Sequence, residues 1–185
     1  MNVCQLIKDF LFFADSNNIE IYNEFSLQHE LGVFLRTRLK NDYKIQFERN
    51  TKYFFGADGN DTIKHEIDIV IFNADMTEKY AIELKHPLNG QYPEQMYSFV
   101  KDIKFMEELK DKGFDSTYCF TLVDDINFYS GNNQNGIYSY FRGSNTLRGR
   151  INKPTGNKSE VIELKNNYKI DWQGWNKKKY YLIEI

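Results

Sequence analysis

Three residues near the middle of this 185-residue chain have the types and spacing for acid and cation chemistry: Asp68, Glu83 and Lys85. Asp68 interrupts a run of isoleucines, Ile67, Ile69 and Ile71. Successive side chains of a strand alternate faces, so the isoleucines can pack inward while Asp68 projects to the other side. Glu83 and Lys85 lie two apart in a second apolar run and share a face, with Ile82 and Leu84 on the opposite one. The interval between the acids holds two strand halves and a turn at 73–77, so a hairpin brings all three residues together. Two carboxylates on adjacent strands make a hard oxygen site of the kind Mg²⁺ takes, with Mn²⁺ as its substitute, because Mg²⁺ keeps waters and accepts phosphate oxygens. A neighbouring lysine can orient or help deprotonate a water while the cation polarises a phosphodiester. The competing reading is a cross-strand salt bridge on an exposed face. The apolar setting of both acids argues against it, since central strands leave unpaired carboxylates at a high cost.

The elements that must position these residues follow from hydrophobic period and turn chemistry. Val3, Leu6, Ile7, Phe10, Leu11 and Ala14 repeat with helical period, and Lys8, Asp9 and Asp15 break the run too early for a signal peptide or a membrane span. The expectation is an amphipathic, cytoplasmic helix. A second helix is predicted over 24–40, with Leu27, Leu31, Phe34, Leu35 and Leu39 as its stripe and Asn23 or Ser26 as its cap. Strands are predicted over 43–49, 67–72 and 80–85. A helix then starts at Pro93, carries Met96, Phe99, Val100, Ile103, Met106 and Leu109, and stops at Gly113. The dense β-branched and aromatic run at 117–123 reads as a buried strand beside the third and parallel to it. Beyond Asp125, 127–136 reads as a loop, and 137–141, 160–164 and 180–185 as further strands.

The segment HEIDIVIFNADMTEKYAIELK, residues 65–85, resembles the core of the PD-(D/E)xK nuclease superfamily, with Asp68 as the motif's Asp and Glu83-Leu84-Lys85 as its ExK. Ile67 stands where the superfamily's name has proline, a departure its members commonly show. The order helix, three strands, helix, strand is similar to the superfamily's αβββαβ core and covers about 24–123. The resemblance implies an α/β fold with a restriction-endonuclease-like core, its mixed central sheet flanked by helices. It places that core in a single domain over 1–185 that adds a basic, β-rich C-terminal elaboration at about 126–185.

By the same resemblance the activity is Mg²⁺-dependent endonucleolytic hydrolysis of phosphodiesters, in DNA rather than RNA. Asp68 and Glu83 hold the metal, and Lys85 positions or activates the water. The resemblance further implies an auxiliary Glu on the helix before the three strands. Glu30, at the edge of the apolar stripe, is the candidate, and Glu24, nearer its middle but at the helix start, is the competitor. Gln95-Met96-Tyr97-Ser98-Phe99 is similar to a Gln-x-x-x-Tyr motif of the RecB-like branch with Phe in place of Tyr, which implies a phosphate-binding or lysine-steadying role for Gln95. A homodimer would allow paired cuts on two strands. The alternative is a chain that keeps this fold for nucleic-acid binding or assembly without turnover.

The remaining letters sharpen the choice. Val161-Ile162-Glu163-Leu164-Lys165 repeats the apolar-ELK pattern, but no preceding strand supplies an Asp at hairpin distance, so Glu163 and Lys165 read as structural. His65 and His86 flank the motif strands and His29 lies on the second helix, none with metal-ligand spacing. Asp124 and Asp125 read as a cap or turn. Cys4 and Cys119 lie far apart in apolar segments and read as buried small hydrophobes of a reducing compartment. The net charge of -2 excludes a polycationic coat, yet residues 141–185 hold ten Lys or Arg against four acids. In that basic tail Arg142, Arg148, Arg150, Lys153 and Lys158 follow Tyr138, Tyr140 and Phe141, offering phosphate contacts and base stacking. Trp172 and Trp175 read as core.

Overall fold

The structure is a computed structural model that describes residues 1–156 and 159–185; Lys158 of the basic tail lies outside the described residues. Helix α1 (Val3–Ser16) opens the chain with Asn2 as its cap, the Asn2 side chain accepting from the Gln5 N–H. Helix α2 (Glu24–Leu39) starts on a capping box in which Asn23 and Ser26 satisfy each other's backbone N–H groups. Strands β1 (Lys44–Asn50), β2 (Glu66–Phe72) and β3 (Lys79–Lys85) follow. Between β1 and β2 the chain forms a short helix α3 (Lys52–Phe55) and a 3₁₀ turn (Gly56–Asp61) where the letters suggested only a turn. Helix α4 (Tyr92–Asp111) has Pro93 in its first turn and leads to β4 (Ser116–Val123).

The main sheet has six strands in the order β1-β2-β3-β4-β8-β7, its last two being β8 (Lys178–Glu184) and β7 (Gln173–Trp175). It is mixed: β3 and β4 run parallel, and its other neighbours antiparallel. One face carries Ile69, Ile71, Tyr80, Ile82, Leu84, Tyr118, Phe120 and Leu122 against the stripes of α1 and α2. The other carries Val70, Phe72, Ala81, Cys119 and Val123 against α4. Each fully buried Val, Leu, Ile or Phe among them contributes roughly 1.5–3 kcal/mol. Gly32 brings α2 down onto β1, because a Cβ at that position would run into the Phe47 ring. None of the described helices is long and apolar enough to cross a membrane.

The C-terminal part departs most from expectation. Residues 137–141 are not a strand: Tyr138–Phe141 form the short helix α5, whose Phe141 is buried beside Phe99 and Tyr181. Strand β5 (Leu147–Asn152) was hidden by its charges and by Gly149, and pairs with β6 (Val161–Tyr168) as a separate two-stranded sheet. Strands β7 (Gln173–Trp175) and β8 (Lys178–Glu184) then return to the main sheet beside β4. Trp172 donates its indole N–H to the Phe141 carbonyl and Trp175 to Leu11, so both are tied into the packed body.

Candidate functional site

The site sits where the β2–β3 ladder stops. Its register runs Phe72↔Lys79, Ile71↔Tyr80, Val70↔Ala81 and Ile69↔Ile82, which makes Asp68 and Glu83 the next opposed pair. Backbone pairing does not continue to them, although β3 stays paired with β4 as far as Lys85↔Thr121. Side chains take over instead. The Asp68 carboxylate accepts the Leu84 N–H at 2.7 Å, and Glu83 Oε1 accepts the Asp68 N–H at 3.4 Å. The two acids thus close the end of the ladder reciprocally, each on the other strand's backbone.

Simple alternation along β2 breaks at this point. Ile69 and Ile71 pack against α1 and α2, but Ile67 joins the cluster on the α4 face. The three isoleucines therefore do not share one face. On β1, Glu48 lies opposite Asp68 in register with a left-handed φ of 47°, a strained value for a non-glycine residue. Gln28 of α2 holds this distortion, its side-chain amide donating to Glu48 and, at 2.9 Å, to the Asp68 carbonyl.

Glu83 is 1% exposed and Asp102, from the middle of α4, 3%. Lys64, from the loop before β2, donates to Glu83 Oε2 and, at 3.0 Å, to Asp102 Oδ1. The turn that carries Lys64 is itself fixed, with the Thr62 hydroxyl within hydrogen-bond distance of both the Lys64 and Gly59 carbonyls and Ile63 N–H donating to Glu108. The Lys85 ammonium lies 3.5 Å from Asp102 Oδ2 and 3.7 Å from Glu24 Oε1, and donates to the Leu84 carbonyl. Glu24 also accepts the His86 N–H at 3.1 Å, which ties the first turn of α2 to the end of β3.

Charge and burial set the protonation of this cluster. Burial pushes the Asp68 carboxyl up to about 6, against the pull of Lys85, Lys64 and the Leu84 N–H. Burial, then the Asp68 and Asp102 charges, raise Glu83 well above the usual carboxylate range, with Lys64 and Lys85 opposing. Both lysines lose by burial and gain more from the acids, so Lys64 and Lys85 are held above the ordinary lysine value. Asp68, Leu84, Glu24, Phe25, Gln28 and Glu48 line a cleft of about 290 Å³. Among the described residues no three His, Cys, Asp or Glu side chains converge as a metal-holding group.

Asp68, Glu83 and Lys85 therefore meet at one end of the sheet, and Glu83 and Lys85 share the face opposite Ile82 and Leu84 as the spacing predicts. Of the two acids on α2, Glu24 is the one the structure brings to this cluster. Glu30 lines a different cleft with Phe13, Val33, Phe34, Thr37 and Arg38, because it lies almost two turns further along α2. Gln95 donates its side-chain amide to the Asn89 side chain in the loop after β3, so its amide is spent on that loop. His86 is buried with its ring Nδ1 at 3.1 Å from the Leu122 carbonyl, and Asp125 caps a 3₁₀ turn, both structural placements. The two cysteines are free, with Cys119 buried and Cys4 only half-buried.

In the tail, Phe141 is buried, and the half-exposed Arg142 donates to the Asn127 and Asn133 carbonyls. Lys153 pairs with Glu160, while Arg148 and Arg150 stay exposed. Lys64, Asp102, Gln28 and Glu48 escaped the sequence reading. Asp102 alone left a signal: an acid three residues after Phe99 and four before Met106 stands on the buried side of α4. No protein-family model, no curated protein and no solved structure matches this chain.

Proposed function

We propose that this chain is a metal-dependent nuclease with a restriction-endonuclease-like core, acting on phosphodiester bonds of DNA in preference to RNA. The observation that carries the reading is the pairing of Asp68 and Glu83 at the open end of the β2–β3 ladder, with Lys85 in the same charge cluster and Asp68 lining a cleft. The donor chemistry fits a hard divalent cation: carboxylates, a carbonyl and excess negative charge, with Mg²⁺ needing only one or two carboxylates when waters and a phosphate complete its shell. Asp68 and Glu83 would hold it, and when bound it supplies polarisation of the phosphoryl group. Lys85 is anchored between Glu24 and Asp102, and from there its ammonium would orient a water. Glu24 holds Lys85 and the His86 backbone, so it positions the lysine. Phe25, 70% exposed on the lip of the cleft with its ring parallel to His29, offers a face for a base.

A second reading is a nucleic-acid-binding or assembly protein without turnover. It is favoured by one feature: Lys64 already neutralises Glu83 and Asp102, as a purely structural ion pair would. Incubation of the chain with single- and double-stranded DNA and RNA in Mg²⁺ or Mn²⁺ separates the two. The nuclease reading expects cleavage that EDTA, Asp68→Asn or Glu83→Gln abolishes; retained binding with no cleavage in either metal overturns it.

A further inference from the structure

We infer that Glu83 and Asp102 form a cation seat filled by the Lys64 ammonium, so that Lys64 and a hard divalent cation exclude one another there. The nuclease reading supplies the identity of that cation as Mg²⁺ or Mn²⁺, and the inference deepens it by pairing Asp102 with Glu83 as a two-carboxylate seat, with Lys64 as the resident competitor. The two carboxylates come from different elements, β3 and α4, and both reach the same Nζ. Carboxylates buried this deeply need a positive charge between them. The seat has acceptor capacity to spare, because Asp102 Oδ2 is buried and finds no hydrogen-bond partner among the described residues, with Lys85 Nζ 3.5 Å away.

The charge count points the same way. Asp68, Glu83, Asp102 and Glu24 face two ammonium groups, Lys64 and Lys85, so the ionised cluster is short of positive charge. Replacing one ammonium by a divalent ion halves that shortage. The two lysines differ in their freedom to leave. Lys85 belongs to a strand paired on one side through its own position, whereas Lys64 rises from a loop on a four-carbon stem whose side chain is 23% exposed. Lys64 can swing into solvent, past the Phe105 ring it rests against at 5.6 Å, without moving β2. The acids are thereby kept compatible with folding before metal arrives, and affinity for metal is set by competition with a tethered cation.

The test is titration of the full chain with Mn²⁺, followed by electron paramagnetic resonance, and with Mg²⁺ by calorimetry, for wild type, Lys64→Met and Lys64→Gln. Both variants are expected to bind at least about tenfold more tightly, a change that corresponds to roughly 1.4 kcal/mol. Asp102→Asn placed in the Lys64→Gln background is expected to reverse the gain. Unchanged or weaker binding in a Lys64 variant that circular dichroism shows to be folded overturns the seat. Should Lys64→Met fold only with metal present, its melting temperature is expected to rise more with Mg²⁺ than that of wild type, and an equal rise counts against the seat. Cleavage is scored separately. Gained metal affinity without any cleavage supports the seat and overturns the nuclease reading; cleavage without gained affinity does the reverse.

Discussion

Ile82-Glu83-Leu84-Lys85 on β3 and Ile162-Glu163-Leu164-Lys165 on β6 are the same four letters on two strands, and their charged side chains end in opposite settings. Glu83 is buried against Lys64 and the Asp68 backbone, and Lys85 is held between Glu24 and Asp102. Glu163 is exposed, and Lys165 pairs with Asp111 at the surface. The strand β6 is tied down by another acid, Glu107 of α4, which accepts the Lys165 and Asn166 N–H groups and the Tyr168 hydroxyl. A motif letter acquires chemistry only when a neighbouring strand and a covering helix bring further charges to it. β3 is central and lies between β2 and β4; β6 belongs to a two-stranded ribbon and has no Asp-bearing neighbour.

Four experiments can break or sharpen this contrast. The largest effect is expected in stability. Lys64→Met leaves Glu83 and Asp102 buried without their cation and should cost about 3–5 kcal/mol in EDTA, whereas the surface change Lys165→Met should leave the urea midpoint essentially unmoved. Urea denaturation measures both, and equal losses would erase the distinction between the two strands. Next comes catalysis. Glu83→Gln should lower cleavage by about 100-fold or more, and Glu163→Gln by less than about twofold. Comparable losses at the two positions would mean that the site has been placed on the wrong strand.

A smaller effect separates the two acids of α2. Glu24→Gln releases one anchor of Lys85 and should lower kcat by about tenfold with little change in KM, while Glu30→Gln should leave both unchanged. A rescue of Glu24→Gln by Glu24→Asp would favour a positioning role. The smallest effect is the pH dependence of Asp68, whose carboxyl rises from 3.8 to about 6 on folding. Between about pH 4 and 6 the folded chain keeps a proton that the unfolded chain has released, so metal-free wild type gains stability as pH falls through that window. Above about pH 6 that contribution is lost. Asp68→Asn should show a shallower dependence than wild type, the remainder coming from the raised Glu83 carboxyl, which urea midpoints at pH 4.5 and 7 in EDTA would reveal.

Helices α1, α2 and α4 and strands β1 to β4 were legible because each shows a strong period and a recognisable cap or breaker, such as Asn23, Pro93 and Gly113. The parallel placement of β4 beside β3 followed from the helix between them. The C-terminal ribbon was not legible, since β5 alternates charge with a left-handed glycine, Gly149, and a bulge interrupts its pairing between Leu147 and Gly149. Residues 137–141 misled because aromatic residues suit a strand as well as the single buried helical turn they form.

Asp68, Glu83 and Lys85 could be selected from letters alone because acids set in apolar strands one hairpin apart are unusual, and the sequence by itself determined that they would meet. Which groups they would meet there was decided only by tertiary structure. Lys64, Asp102 and Glu24 come from a loop, a helix interior and a helix start, at separations for which no local period exists. Burial makes their charges interdependent, so the contact that satisfies Glu83 depends on how α4 packs across the sheet and on where the Lys64 loop is pinned. Pairing within a hairpin is local geometry; the choice of counter-charge in a buried cluster is a property of the whole packed molecule.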